Sequence, residues 1–152
     1  MTGQKMLIRV LIVGVLLIPM IGSGPSPASA ADFDKDGYAD LAIGVRWEEV
    51  SGAPYAGAVN VLYGSSVGIS AANDQLWVQG DLIPNGTEPE DMFGEVLAAG
   101  DFDGDGVVDL AVGVRCENLD AIVDGGAVQI IYGSSPDGLV SVSYTHLRAH
   151  ET

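Results

Sequence analysis

The sequence predicts an all-β fold, a partial β-propeller built from about two four-stranded antiparallel blades. An internal repeat is the first reason, since "DFDKDGYADLAIGVR" at 32–46 recurs as "DFDGDGVVDLAVGVR" at 101–115. The second reason is that short runs rich in β-branched and aromatic residues, bounded by turn residues, follow each copy. No convincing amphipathic helix is evident after the N-terminal segment. Repeats of this length are typical of propeller blades or solenoid units.

The repeat extends beyond its acidic loop with a constant offset of 69 residues. "GAVNVLYGSS" at 57–66 aligns with "GAVQIIYGSS" at 126–135, and 19 of the 35 aligned positions are identical. Such agreement across a divergent middle is not produced by chance. The chain therefore contains two copies of one structural unit.

The first 30 residues predict a secretory signal peptide that precedes the repeats as a helix. Lys5 and Arg9 form a basic start, an apolar run follows, and small residues lead to a cleavage site after Ala30. A membrane anchor is the alternative. The apolar run is short for a spanning helix and is interrupted by Pro19 and Gly22, which favours export with cleavage.

Each repeat predicts its strands in order. The first repeat, residues 31–80, contributes "DLAIGV", "AVNVLYG" and "DQLWVQG" and lacks an opening strand. The second repeat, residues 81–141, contributes "FGEVLAAG" at 93–100, then "DLAVGV" and "AVQIIYG". Chain ends of a closed propeller often complete one blade together, and two blades cannot close a ring. We therefore expect the chain to be a piece of a longer protein.

The acidic stretch "DFDGDGVVDL" at 101–110 predicts a calcium site. Its acids alternate with other residues, and such loops direct six to eight oxygens at one hard cation. Gly106 follows the third acid, where the chain must bend sharply. The predicted ligands are the side chains of Asp101, Asp103, Asp105 and Asp109 and the backbone carbonyl of Val107. A solvated acidic loop is the alternative, and Val112 occupies the position where an EF-hand has glutamate.

The stretch "FGEVLAAGDFDGDGVVDLAVGV" followed by "GGAVQIIYG" resembles the FG-GAP repeat of integrin α-subunits and of many secreted bacterial proteins. The resemblance covers residues 32 to about 139 and favours a secreted bacterial protein. It departs from the family in two ways: Gly-Val-Arg replaces the Gly-Ala-Pro element, and Phe-Gly occurs once, at 93–94. The resemblance implies a ring of about seven blades and calcium in the loop between the first two strands of each blade. Carried over by position, the first calcium site comprises Asp32, Asp34, Asp36, Asp40 and the carbonyl of Tyr38.

The net charge restricts the partners. Residues 31–141 contain 3 Lys or Arg and 20 Asp or Glu, which gives 3 − 20 = −17 without metal. Such a surface repels nucleic acid and anionic membranes, so we expect neither as a partner. The expected partners are an extracellular protein or glycan and the remaining blades of a longer chain.

The last residues, 142–152, differ in character from both repeats. "VSYTHLRAHET" contains both histidines and no β-pattern that matches the repeat. It back-translates into a transposase mosaic end joined to a sequencing-library adapter, and we interpret it as translated adapter. A natural metal-binding tail is the alternative, and sequencing the intact genomic locus distinguishes the two.

The sequence favours a secreted or cell-surface, non-catalytic calcium-binding segment used in recognition or adhesion. Residues 31–141 contain no HExxH and no histidine, so candidates for nucleophilic or acid–base chemistry are few. Two alternatives remain: an accessory propeller of a secreted enzyme, and a structural surface protein. The full reading frame distinguishes them, because an enzyme would carry a further domain with catalytic motifs.

Overall fold

The computed structural model describes residues 31–83, 86–119 and 122–141, and these residues form two antiparallel β-sheets. The predicted signal peptide, residues 1–30, and the predicted adapter-derived tail, residues 142–152, lie outside the described residues. Within the described ranges, no helix is long and apolar enough to cross a membrane.

The two sheets follow one another along the chain. The first has the order β1 (Leu41–Val45), β2 (Ala58–Tyr63) and β3 (Ser70–Trp77), and a one-turn helix α1 (Gln79–Leu82) follows it. The second has the order β4 (Val96–Gly100), β5 (Asp109–Val114), β6 (Ala127–Ser134) and β7 (Gly138–Val140). The all-β prediction is confirmed, and the two sheets are consistent with two blades of a β-propeller.

Two strands differ in their bounds from the predicted ones. The strand predicted at 74–80 lies at Ser70–Trp77, because the Asp81 carboxylate accepts a hydrogen bond from Val78 N–H (3.1 Å) and the chain turns into α1. The strand predicted at 93–100 begins at Val96. Phe93 instead forms an isolated parallel bridge with Gly57 of the first repeat.

The internal repeat is reproduced in the strand register. In the first hairpin Leu41 pairs with Leu62 and Val45 with Ala58. In the second hairpin the residues 69 positions later make the same pairs, from Leu110 with Ile131 to Val114 with Ala127. The two copies therefore have one pairing pattern, as the sequence identity indicates.

The core lies between the two sheets. It consists of buried apolar side chains from both repeats and from the segments that precede them: Phe33, Val59, Val61, Phe93, Leu110, Val112, Val114, Ile131 and Leu139. Burying these side chains away from water favours the packed state. The sheets approach so closely that a Cβ on Gly44 would lie 2.0 Å from the carbonyl oxygen of Gly94.

Polar contacts join the same two sheets. Glu95 accepts a hydrogen bond from Arg46 (2.8 Å) and lies 3.8 Å from Arg115, the residue aligned with Arg46 in the second repeat. The Tyr63 hydroxyl donates to Gln75 and accepts a hydrogen bond from the backbone N–H of Leu139 (2.9 Å). Polar contacts thus join the first repeat to the residue before β4 and to β7 of the second sheet.

Candidate metal centres

The first acidic loop, residues 32–40, folds around its own carboxylates. The N–H of Asp36 donates to Asp32 Oδ1 and to Asp34 Oδ1, each at 3.1 Å, and the N–H of Gly37 donates to Asp32 Oδ2 (3.1 Å). The N–H of Tyr38 donates to Asp36 Oδ1 (2.8 Å). Short acidic side chains favour such turns because they accept hydrogen bonds from N–H groups a few residues ahead.

The second acidic loop, residues 101–109, repeats most of this pattern. Asp101 accepts hydrogen bonds from the N–H groups of Gly104 (2.7 Å) and Gly106 (3.0 Å). The Asp103 carboxylate accepts one from Asp105 N–H (3.0 Å). The Asp105 carboxylate in turn accepts one from Val107 N–H (2.7 Å). Alternating acids therefore close two successive turns in each repeat.

Glycine provides the bend after the third acid of each loop. Gly37 has a φ of +89° and Gly106 a φ of +82°, a region that residues with a Cβ rarely adopt. No heavy atom lies within 4 Å of the position that a Cβ on Gly37 would occupy. The backbone conformation, and not the available space, is the reason for glycine at Gly37.

The last acid of each loop anchors the loop to the sheet. Asp40 accepts hydrogen bonds from the N–H groups of Phe33 (2.7 Å) and Gly64 (2.9 Å). Asp109 accepts the equivalent bonds, which come from the N–H groups at positions 102 (2.7 Å) and 133 (2.9 Å). Both side chains are buried. Each one ties the start of its loop to the end of the neighbouring strand.

Three carboxylates converge in each loop. Ligand oxygens of Asp32, Asp34 and Asp40 all lie within 4.8 Å of one another, and the same holds for Asp101, Asp103 and Asp109. The other two predicted acids, Asp36 and Asp105, are absent from these groups of three.

Burial and crowding disfavour the ionised forms of Asp34 and Asp40 in the first loop. Burial, together with the neighbouring charges of Asp34 and Asp32, raises the pKa of Asp40 to about 6, although its two backbone hydrogen bonds lower it. Burial also raises the pKa of Asp34, and the charges of Asp36 and Asp32 add to the effect. A bound cation would favour the ionised form of these groups.

The two loops are neighbours in space. The Lys35 ammonium lies 3.5 Å from the position that a Cβ on Gly106 would occupy. A side chain of the first loop therefore reaches the second loop.

The donor chemistry of both loops fits calcium. Each group of three offers carboxylate oxygens, which are the hard ligands that calcium takes in loops of variable geometry. Magnesium fits less well, because it demands octahedral geometry and retains several waters.

Sequence reasoning missed the glycines that complete the anchors. Gly64 and Gly133 donate to Asp40 and Asp109, and a Cβ on either would lie within 2.3 Å of a carbonyl oxygen of the loop. The available signal was the Tyr-Gly-Ser-Ser run, which recurs at the common offset of 69 residues.

A family model for the FG-GAP repeat matches residues 23–62 and 93–131. Phosphatidylinositol-glycan-specific phospholipase D of Homo sapiens is 34% identical over 113 residues, which cover 74% of this chain and 14% of that protein. The Bos taurus protein of that name is 32% identical over 124 residues, covering 82% of this chain and 15% of the relative. Integrin alpha pat-2 of Caenorhabditis briggsae is 38% identical over 121 residues, covering 75% of this chain and 9% of the relative.

This chain spans about 14% of the length of the phospholipase D relatives and less of the integrin. All three relatives are animal proteins, so they give no support to the bacterial origin that the resemblance favoured.

Proposed function

Because this chain belongs to the FG-GAP repeat family, we propose that it is an extracellular, non-catalytic β-propeller segment that binds two calcium ions and presents loops to a protein or glycan ligand. The observation that carries the proposal is the pair of carboxylate groups, which recur with the same members in both repeats.

The residues of each group have defined roles in this proposal. Asp32, Asp34 and Asp40 hold the first ion, and Asp101, Asp103 and Asp109 hold the second. Further ligands from the repeat pattern are the side chains of Asp36 and Asp105 and the carbonyls of Tyr38 and Val107. The ion supplies positive charge that offsets the repulsion among these carboxylates.

Exposed aromatic side chains support the recognition role. Trp47 and Tyr55 are each about half exposed and lie in the hairpin loop between β1 and β2. The Arg46 guanidinium lies 4.4 Å from the centroid of the Trp47 ring. Since β1 runs from the acidic loop to this hairpin loop, calcium would order one end of the sheet while the other end contacts the ligand.

Further blades of the same family are the second proposed partner. Val112 and Val114 of β5 are buried against the first sheet, whereas Ile43 and Val45, aligned with them in β1, are only partly buried. A preceding blade would cover this face as the first sheet covers the second.

The test is thermal unfolding of the purified chain in calcium and in chelator. Each calcium ion that binds only the folded form should stabilise it by about 3 kcal/mol at a hundredfold excess over Kd. Asp34→Asn and Asp103→Asn should each lose part of the calcium-dependent rise in Tm. Asp74→Asn, the same charge change at an exposed position on β3, should retain all of it. The absence of any calcium-dependent rise for the unaltered chain would exclude both sites.

A second candidate function is that of an accessory propeller in a secreted enzyme. It is supported by the relatives named phospholipase D, of which this chain covers about 14%. The repeats would be non-catalytic in that case too. The complete reading frame at the genomic locus decides between them: a domain with catalytic motifs favours the enzyme, and repeats alone favour recognition or a structural surface role.

A further inference from the structure

A second type of acidic cluster lies away from the two loops. It joins α1, the segment 86–91 that follows it, and the loop after β5. The acidic loop of the second repeat precedes β5 at Asp109, whereas this cluster involves Glu117, beyond the other end of the strand at Val114. The cluster is therefore distinct from the loop sites.

The cluster contains two buried side chains with an oxygen left unpaired. Asp91 is 1% exposed: its Oδ2 accepts a hydrogen bond from Glu88 N–H (2.8 Å), but its Oδ1 has no partner within the described part of the chain. Gln79 is also 1% exposed: its amide nitrogen donates to Glu117, and its Oε1 has no partner among the same residues. A buried oxygen without a partner destabilises the folded state, because it loses its hydrogen bonds to water and gains none.

The surroundings of Asp91 are negatively charged. Its backbone carbonyl accepts a hydrogen bond from Cys116 N–H (3.2 Å), which places Asp91 beside Glu117. Burial, with the charges of Glu117 and Glu88, raises the pKa of Asp91 to about 6, although the hydrogen bond from Glu88 N–H lowers it.

We propose that Asp91, Gln79 and Glu117 form a third site for a hard divalent cation, with calcium as the fitting ion. Two carboxylates and one amide oxygen are ligand types that calcium accepts together with water. The ion would satisfy both unpaired oxygens and offset the local negative charge. It would also tie α1 and the segment 86–91 to the second sheet.

The site belongs to the junction between the repeats. Glu48 of the first repeat is aligned with Glu117. At the same offset of 69 residues, the positions aligned with Gln79 and Asp91 are residues 10 and 22, which are Val and Gly. The first repeat therefore cannot form the same site from its own chain, and the inference does not follow from the repeated loops.

The experiment counts calcium bound per chain by equilibrium dialysis and elemental analysis of the purified protein. Three ions are expected for the unaltered chain and two for Asp91→Asn, which keeps the shape of the side chain but removes its charge. Glu90→Gln is the matched control, since it removes one charge from the exposed neighbouring residue, and it should retain three ions. If Asp91→Asn fails to fold, Glu117→Gln takes its place.

The loop sites are counted separately with Asp34→Asn and Asp103→Asn, each of which should remove one ion and leave the third site filled. If the unaltered chain binds one ion that Asp91→Asn removes, the third site stands and the loop sites fail. An equal count for the unaltered chain and for the cluster variants overturns the third site, and Asp91 is then satisfied by a proton or by water.

Discussion

At the residue scale, the acids of one loop have different roles although their chemistry is the same. Asp109 is fully buried and accepts hydrogen bonds from two backbone N–H groups, those of Phe102 and Gly133. Asp103 is exposed and accepts one, from Asp105 within the loop. Both belong to the same group of converging carboxylates. We therefore expect Asp109 to contribute more than Asp103 to stability without metal.

Comparison of Asp109→Ala with Asp103→Ala tests this difference. Asp109→Ala leaves two backbone N–H groups without their acceptor and should lower the free energy of unfolding by about 3 kcal/mol in chelator. The loss should be larger in calcium, because the variant also lacks a ligand of the second ion. Asp103→Ala should change it by less than about 1 kcal/mol in chelator and should lower it in calcium only. Chemical denaturation under both conditions measures the two effects. Equal losses in chelator would contradict the anchoring role of Asp109.

At the element scale, glycine sets the distance between the sheets. A Cβ on Gly44 of β1 would lie 2.0 Å from the carbonyl oxygen of Gly94, which is backbone and cannot turn away. Gly113 of β5 is aligned with Gly44 and pairs with Val96 of its own sheet. A Cβ added to Gly113 would lie 3.4 Å from the Val96 side chain, which is an ordinary contact. The two glycines of one repeated motif are thus under different constraints.

The aligned pair provides a matched experiment. Gly44→Ala should force the sheets apart and destabilise the protein by about 1–3 kcal/mol, the usual cost of overpacking. Gly113→Ala should cost less than about 1 kcal/mol, because its methyl group has room and its φ is not positive. The measurement is the midpoint of denaturant unfolding for both variants, compared where the dependence of the unfolding free energy on denaturant concentration is the same. A larger loss for Gly113→Ala would contradict the observed approach of the sheets.

At the scale of the whole molecule, hydrogen bonds across the core link the two sheets. Burial raises the pKa of Tyr63 to about 12, so its hydroxyl stays protonated at neutral pH. The hydrogen bond from Leu139 N–H lowers this pKa, and the charges of Asp40 and Asp34 raise it. Gln75 accepts from that hydroxyl and donates its amide to the Leu139 carbonyl (3.0 Å). Strands β2, β3 and β7 are thereby joined in one network. We expect the two sheets to unfold in one transition.

Tyr63→Phe should weaken this coupling. It leaves the N–H of Leu139 without its acceptor and should cost about 1–2 kcal/mol. Tyr132→Phe is the control: Tyr132 is aligned with Tyr63, and its hydroxyl makes no hydrogen bond to the described residues. Near- and far-ultraviolet circular dichroism should follow one transition in the unaltered chain. Separate transitions there would show that the sheets are independent.

The class of fold, the repeat and the candidate metal loops follow from the amino-acid sequence alone. These features depend on local patterns: β-branched runs between turn residues predict strands, and acids at alternate positions before a glycine predict an oxygen-lined turn. The common offset also predicted that Leu41 and Leu110 would have equivalent positions, which the strand register confirms. Metal binding by the loops stays a prediction.

How distant residues meet follows from the tertiary structure. The anchoring of Asp40 by Gly64, the contact of Gly44 with Gly94 and the burial of Asp91 beside Glu117 all depend on chain segments far apart in sequence. Sequence spacing specifies which backbone groups a side chain can reach within a turn. It does not specify which sheet will lie against it, because that is decided by how the two apolar faces pack.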